Sequence, residues 1–343
     1  MAGRPTIADV ASEAQVSVAT VDRVLNGRHR VREETARRVY DAAERIGYHA
    51  TSLIRQRLQQ NLPQYRLGFV LQRPRQFFYQ DFARTIEQVV TSKPGVRGMP
   101  TIEFMPSQSP EDIVATLRRV ASNTQAVAMA GPDHPAVSEA VLELKQAGIP
   151  VFSLLSDFAS GIREGYVGLD NRKVGRTAAW IISRAALRPG KVGVFVGSSR
   201  FHGHELREIG LRAYLRDHSP EFQVLDTQIN LETRQITHEA TVDLIRRHPD
   251  LVALYVAGGG MEGAISALRE EGMARKLVAV CNEITPESRA GLADEIITMV
   301  IATPLAKLCE TLVDLMIRTI EIGSAETPGQ TFLPFDIYLS ENI

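Results

Sequence analysis

At 343 residues the chain is long enough for two or three domains, each with its own core. Its 44% hydrophobic and 23% charged content is that of an ordinary globular protein, which excludes a disordered or fibrous chain. No apolar run reaches the 18 residues a membrane helix needs, so "no membrane" is the expectation. The net charge of −1 hides an asymmetry: residues 1–62 hold ten Arg, no Lys and seven Asp or Glu, a surplus of three positive charges, and the remainder is net −4. A basic end on an acidic body points to an anionic partner at that end. The opening MAGRPTIADVASEA has no apolar core or small-residue cleavage site, and the two cysteines, Cys281 and Cys309, show no metal spacing. A reducing, cytoplasmic location is expected, with both thiols buried as small apolar groups.

In chain order, TIADVASEA (6–14) reads as a helix with Thr6 as N-cap and Asp9 completing a capping box. Ile7, Val10, Ala11 and Ala14 share its apolar face. Gln15-Val16-Ser17 reads as a tight turn, Ser17 caps a second helix of about eight residues, and Asn26-Gly27 ends it. A third helix, 32–46, turns Ala36, Val39, Tyr40, Ala43 and Ile46 inward and stops at Gly47. Three short helices with tight turns, the second too short to be justified by packing, describe a helix-turn-helix. Residues 49–64 are polar, rich in Gln and Arg, and closed by Pro63, which reads as a linker with some helical potential.

From Arg66 the rhythm changes. RLGFVL, TIEFM, AVAMA, PVFSLL, KVGVFVG, LVALYVA and KLVAVC are strand candidates, most of them separated by amphipathic helices. That alternation predicts parallel sheets covered on both faces, and seven strands over this length fit two doubly wound lobes. IITMVIA and FDIYLS add an edge strand or a crossover.

TIADVASEAQVSVATVDRVLNG followed by VREETARRVYDAAERIGY resembles the DNA-binding head of the lactose-repressor (LacI/GalR-type) family of bacterial transcription regulators. In the body, QAGIPVFSLLSD, YVGLDNRKVGRTAA, HGHELREIGL and VAVCNEITPE resemble, in the expected order, type I periplasmic sugar-binding proteins of the ribose-binding kind. The fold implied is a small all-α helix-turn-helix head followed by α/β, two doubly wound parallel-sheet lobes. The division expected is a head at 1–48, a hinge at 49–64, and an effector-binding and dimerisation domain at 65–343. Within it, lobe 1 covers about 65–165 plus part of 300–325, and lobe 2 about 166–300 plus the C-terminal segment.

The resemblance places helix two in the major groove of operator DNA, with Val18, Ala19 and Arg23 at base edges. Arg23 suits the paired acceptors of guanine; Val18 and Ala19 offer only apolar contact, for instance to a thymine methyl. Thr6, Ser17, Thr20, Asn26 and Thr35 fall at phosphate-contact positions, with Arg28 and Arg30 as cationic anchors. Asp22 stands where the family usually has serine. It either orients a neighbouring Arg, or accepts from a cytosine amine, or simply faces solvent. The hinge departs further: Ala50-Thr51 replaces Pro-Asn, and Arg57 replaces the leucine that wedges into the minor groove, with Leu58 beside it. Leu58 wedging from a shifted helix, Arg57 entering the groove, and little bending at all remain open.

Ligand positions carried over from the body are Phe77 and Phe78, Asp133 and His134, Asp157, Arg207, Glu232, Asn282 and Glu283. In such a site Phe rings stack on a sugar face, Arg207 donates paired bonds, and the carboxylates accept from hydroxyls. Gly260 and Ala302 replace polar amides, which widens the expected effector from a pentose to another sugar, a polyol or a small acid. Each residue also has a plainer reading: Phe77 and Phe78 as core, Asp133, His134 and Asp157 as loop or cap residues, Arg207 in a surface ion pair. Asp170-Asn171 reads as hinge scaffolding. The implied function is an effector-responsive DNA-binding regulator, a repressor, working as a homodimer. The C-terminal LAKLCETLVDLMIRTIEIG is either its interface element or a core helix. Two rivals remain: an enzyme holding a nicotinamide nucleotide on Gly258-x-Gly260-x-x-Gly263, and a sensor whose head binds protein. No catalytic Tyr-Lys or Cys-His arrangement, no Gly-x-Ser-x-Gly elbow and no His-Glu-x-x-His accompanies the glycine turn.

Overall fold

A computed structural model describes residues 5–26, 31–52, 54, 62–324 and 329–343. Arg28, Arg30, Arg57 and Leu58, with Gly27, lie outside the described residues.

The head has helices α1 (Ile7–Glu13), α2 (Val18–Asn26) and α3 (Glu33–Arg45). Thr6 and Asp9 form the capping box that sets the start of α1. Gln15, with φ of 54°, makes the turn into α2, and the Thr20 amide donates to the Ser17 hydroxyl at 3.2 Å. Val10, Val21, Val39 and Ala42 meet in a dry centre. Tyr48, Ala50 and Ile54 belong to that same centre, Ile54 fully buried. The head's packing therefore runs past residue 48 into the segment expected to be linker. The polar composition of 49–64 concealed this, because two apolar side chains and a tyrosine supply the contact.

The body contains two parallel sheets. Sheet one comprises β1 (Gln64–Leu71), β2 (Arg97–Phe104), β3 (Ala126–Met129), β4 (Val151–Leu154), β5 (Gly165–Leu169) and β12 (Gly329–Leu333), in the order β12-β5-β4-β3-β1-β2. Sheet two comprises β6 (Lys191–Val196), β7 (Gln223–Val224), β8 (Gln228–Ile229), β9 (Leu251–Val256), β10 (Val278–Asn282), β11 (Met299–Ala302) and β13 (Asp336–Tyr338), in the order β13-β11-β10-β9-β6-β7, with β8 also on β6. Every expected strand is present. IITMVIA becomes β11, an interior strand, because the antiparallel β13 takes the edge beside it.

Helices α4 (Phe77–Ser92), α5 (Pro110–Ala121) and α6 (Pro135–Gln146) belong to the first lobe. α7 (Asn171–Ala185), α8 (His202–His218), α9 (Arg234–Arg247), α10 (Met261–Glu270) and α11 (Pro286–Ala293) belong to the second. The period of two along the strands feeds both faces of sheet two. Val194, Tyr255, Val280 and Ile301 pack under α7 and α8, while Phe195, Val256, Cys281 and Val300 pack under α10 and α11. Each such large side chain contributes about 1.5–3 kcal/mol by leaving water. Cys281 and Cys309 are both buried free thiols, and burial pushes the Cys309 thiol up to about 12.

The chain crosses between lobes three times: from β5 into α7, from β11 into α12 (Leu305–Ile322), and from β12 to β13. β5 lies wholly in sheet one, so the first crossing follows Leu169 rather than residue 165. GYVGL was overlooked as a strand because two glycines dilute its pattern, although all five residues are buried. α12 packs on β3 and β5 and buries Leu308, Leu312, Val313 and Met316 there, which makes its apolar face core.

Candidate functional site

Parallel strands deliver loops at their carboxyl ends, and a ligand between two such sheets meets those loops. A cleft with about 730 Å³ of unfilled space, counted out to its mouth, lies there. From lobe one it is lined by Gln72 and Gln76 after β1, Phe78 and Tyr79 at the start of α4, and Leu155 and Ser156 after β4. From lobe two come His204 and Arg207 on α8, Glu232 after β8, Glu262 at the start of α10, Asn282 at the end of β10 and Glu283 just after it. Five expected ligand residues thus converge: Phe78, Arg207, Glu232, Asn282 and Glu283.

Arg207 is 6% exposed. Its Nε donates to Asn171 Oδ1 and its Nη1 to the Ala257 carbonyl, both at 2.7 Å. These bonds fix the guanidinium plane and leave Nη2 for the cleft. Asn171 donates in turn from Nδ2 to the Leu155 carbonyl and the Tyr166 hydroxyl, tying the second lobe's first helix to the first lobe. Asp170 caps α7 through the Lys173 amide. The GLDN segment is hinge scaffolding that also positions Arg207.

Glu232 spans the mouth. Its Oε2 accepts from Arg73 Nε at 3.1 Å and its Oε1 from the Gly259 amide at 3.2 Å, while Arg73 Nη2 also donates to the Leu231 carbonyl. Glu283 Oε1 and Oε2 accept from the Thr303 hydroxyl and amide, both at 2.8 Å. Burial pushes the Glu283 carboxyl up, opposed by Arg207 and the Thr303 bonds. Asn282 Oδ1 accepts from the buried Tyr255 hydroxyl. His204 stands 3.8 Å from Glu232, but burial holds its imidazole down at about 4, so it is neutral at pH 7 and this contact is no ion pair. The Gly197 amide donates to His204 Nδ1, which leaves the proton on Nε2, facing Glu232.

The other four expected ligand residues have different work. Phe77 is 40% exposed, with Arg84 over its ring. His134 caps α6 through the Ala136 amide. Asp133 accepts from the Ala159 amide. Asp157 is buried against Arg163, which donates to both its oxygens, and it accepts further from Ser153 and Gln330, so it pins β12 to the first sheet. Burial alone would push the Asp157 carboxyl up; the bonds from Arg163 and Ser153 outweigh that and hold it below its ordinary range. Asp157→Asn leaves the Arg163 charge buried without its counterion and should cost about 3–5 kcal/mol in urea unfolding at pH 7. Because the folded carboxyl is depressed, that contribution is complete above 3.8 and fades as pH falls below it. The gap between native and variant proteins should therefore shrink in acid.

Gln72, Gln76, Ser156, His204 and Glu262 were missed as lining residues; the first three follow strands, the one signal that could have found them. At the glycine turn the Gly259 amide donates to the Glu232 carboxylate, and a Cβ at Gly258 would stand 2.5 Å from the His204 ring. Among the described residues no group of three His, Cys, Asp or Glu is placed for a metal ion, and no helix is long and apolar enough to cross a membrane.

In the head, α2 turns Val21 and Val24 inward and leaves Ser17, Val18, Ala19, Arg23 and Asn26 exposed, Val18 by 51%. Thr20 and Thr35 are half-buried and Thr6 is exposed. Asp22 Oδ1 accepts from Asn26 Nδ2 at 2.7 Å, one turn on. Among the described residues that partner is an amide rather than a neighbouring Arg, so Asp22 orients Asn26.

Residues 6–51 match the lacI family of bacterial regulatory proteins, and residues 108–324 match the periplasmic binding protein domain. An HTH-type transcriptional regulator of Streptomyces limosus is 29% identical over 199 residues, 57% of this chain and 54% of that one. Catabolite control protein A of Priestia megaterium is 37% identical over 86 residues, 25% of each chain. The matches span about half and a quarter of those two relatives. Among solved structures, a solute-binding protein of Agrobacterium vitis bound to α-D-tagatopyranose superposes with a TM-score of 0.73 at 20% identity, covering 81% of this chain and 95% of that one. One from Burkholderia graminis in complex with D-arabinose gives 0.72 at 20% identity, covering 80% and 96%. The two sheets and three crossings are thus a type I periplasmic-binding-protein fold. The chain belongs to the periplasmic binding protein domain family and carries an N-terminal domain of the lacI family of bacterial regulatory proteins.

Proposed function

We propose that the protein is an effector-responsive, sequence-specific DNA-binding transcription regulator, a repressor, that senses a sugar-like or polyol molecule in its cleft. The observation that carries this reading is one chain holding both parts: an exposed α2 face bearing Arg23, and a cleft ringed by strand-end polar groups. It works as a cytoplasmic homodimer, since paired heads on a two-fold operator multiply weak single-head contacts. Val18, Ala19 and Arg23 read bases; Thr6, Ser17, Thr20, Asn26 and Thr35 hold phosphates, with Asp22 fixing the Asn26 amide. Phe78 stacks on the ligand, Arg207 Nη2 donates to it, and Glu232, Asn282 and Glu283 complete its polar shell. Ligand binding biases lobe closure and with it the spacing of the heads.

A mobility shift with the protein's own promoter, repeated across salt concentrations, tests the reading: affinity should fall steeply with salt. A head that binds only protein gives no shift. Arg23→Ala should lose about 1–3 kcal/mol of discrimination at one position per half-site, seen in a scanned operator library. An unchanged base profile removes Arg23 from the set of readers.

A further inference from the structure

The cleft's charges do not balance. Among the described residues its lining contains three carboxylates, Glu232, Glu262 and Glu283, against one cation, Arg207. His204 adds none, being neutral. Two of the carboxylates are already answered by protein: Glu232 by Arg73 and the Gly259 amide, Glu283 by both donors of Thr303. Glu262 has no hydrogen bond or ion pair to another residue among the described ones, although it sits partly buried in the cleft wall at the start of α10. Arg234 shares the outer groove with Glu262 but does not pair with it. Burial pushes the Glu262 carboxyl up; its own backbone amide and the Arg234 charge oppose that, while the neighbouring Glu287 and Glu232 add to it. Charges taken out of water are costly unless they are paired.

We propose that the effector is a polyhydroxylated molecule carrying a protonated amine, an amino sugar or amino polyol, with Glu262 receiving the ammonium and Arg207 the hydroxyls. The proposal rests on the reading of the cleft as a sugar-type effector site and adds the charge of the ligand. A ligand of this kind supplies the missing cation. A sugar acid or sugar phosphate would bring a further negative charge to a lining in which, with Glu232 paired to Arg73, Arg207 alone faces Glu262 and Glu283. Glu262 is then the residue that selects for charge; among the described residues its carboxylate is bonded to its own backbone amide at the start of α10 and to no other residue.

The experiment uses the full chain at pH 7 and measures both thermal shift and calorimetric affinity. The probes are D-glucosamine, D-galactosamine and D-mannosamine, their parent hexoses, N-acetyl-D-glucosamine, and the corresponding uronates. The N-acetyl compound keeps the nitrogen and removes the charge. Expected is binding of at least one amine roughly tenfold or more tighter than its parent hexose, the strength of a hydrogen bond to a charged group. Glu262→Gln should erase that preference, so that the amine and its parent hexose bind the variant with equal affinity. A parent hexose or a uronate that binds as tightly as the amine overturns the proposal but leaves the sugar reading intact. So does an amine preference that survives in E262Q. Silence from every sugar in the panel overturns both.

Discussion

Arg207→Ala should abolish the response to effector and leave operator binding in place. Among the described residues its guanidinium is the one cation in the cleft lining, and two of its three nitrogens are committed to Asn171 and Ala257. Truncation removes the donor aimed at the ligand and strips partners from a buried amide oxygen and a buried carbonyl. The second loss alone should cost about 2–4 kcal/mol of stability in the body, read by urea unfolding. Arg207→Lys keeps the charge but not the planar fork, so it should recover little of the ligand response. A variant that still releases or tightens DNA with the effector would move the site away from Arg207.

A large stability loss is expected at Gly175, where α7 crosses α8. A Cβ there would stand 1.8 Å from the Arg207 carbonyl oxygen, and one at Gly210 would stand 2.2 Å from the Arg172 carbonyl. Backbone, not a movable side-chain tip, is what each would meet. The two glycines let the helices approach backbone to backbone, and that closeness sets where α8 presents Arg207 and His204 to the cleft. Gly175→Ala should destabilise the second lobe by about 3 kcal/mol or more, because overpacking here cannot be relieved by a rotamer change. Differential scanning calorimetry should show the loss in the body's transition. Gly148→Ala, at a helix end with φ of 77° and open space around it, should cost less, since only backbone strain is added.

Local chemistry made the head legible. The Thr6–Asp9 box, the Ser17 cap and the stop at Gly47 are signals confined to a few residues, and the structure uses each of them. The hydrophobic seal made by Tyr48, Ala50 and Ile54 was not legible, because three spaced residues in a polar stretch carry no periodic signal. In the body, the strands that read clearly are buried on both faces, so their apolar runs are continuous. β12, at a sheet edge and half exposed, shows no such run. Within the cleft, Arg207, Glu232, Asn282 and Glu283 sit at strand ends or the helix that follows, as read. Asp133, His134 and Asp157 also follow strands, yet capping, a loop amide and a buried arginine claim them. A strand-end polar residue looks the same in sequence whether it faces a ligand or a backbone amide; only the neighbouring lobe and helix decide. Glu262 was hidden inside a glycine turn whose spacing suggested a nucleotide, and it shares the cleft lining with Glu232, which arrives from the distant loop after β8.

The claim beneath all of this is that occupancy of the cleft and occupancy of DNA are coupled in one molecule. Fluorescence anisotropy of a labelled promoter fragment, titrated with the full chain with and without saturating effector, measures that coupling directly. The account predicts that effector changes DNA affinity by a factor of about 5–150, and that DNA changes effector affinity by the same factor. Effector affinity that is identical on free and DNA-bound protein would contradict it.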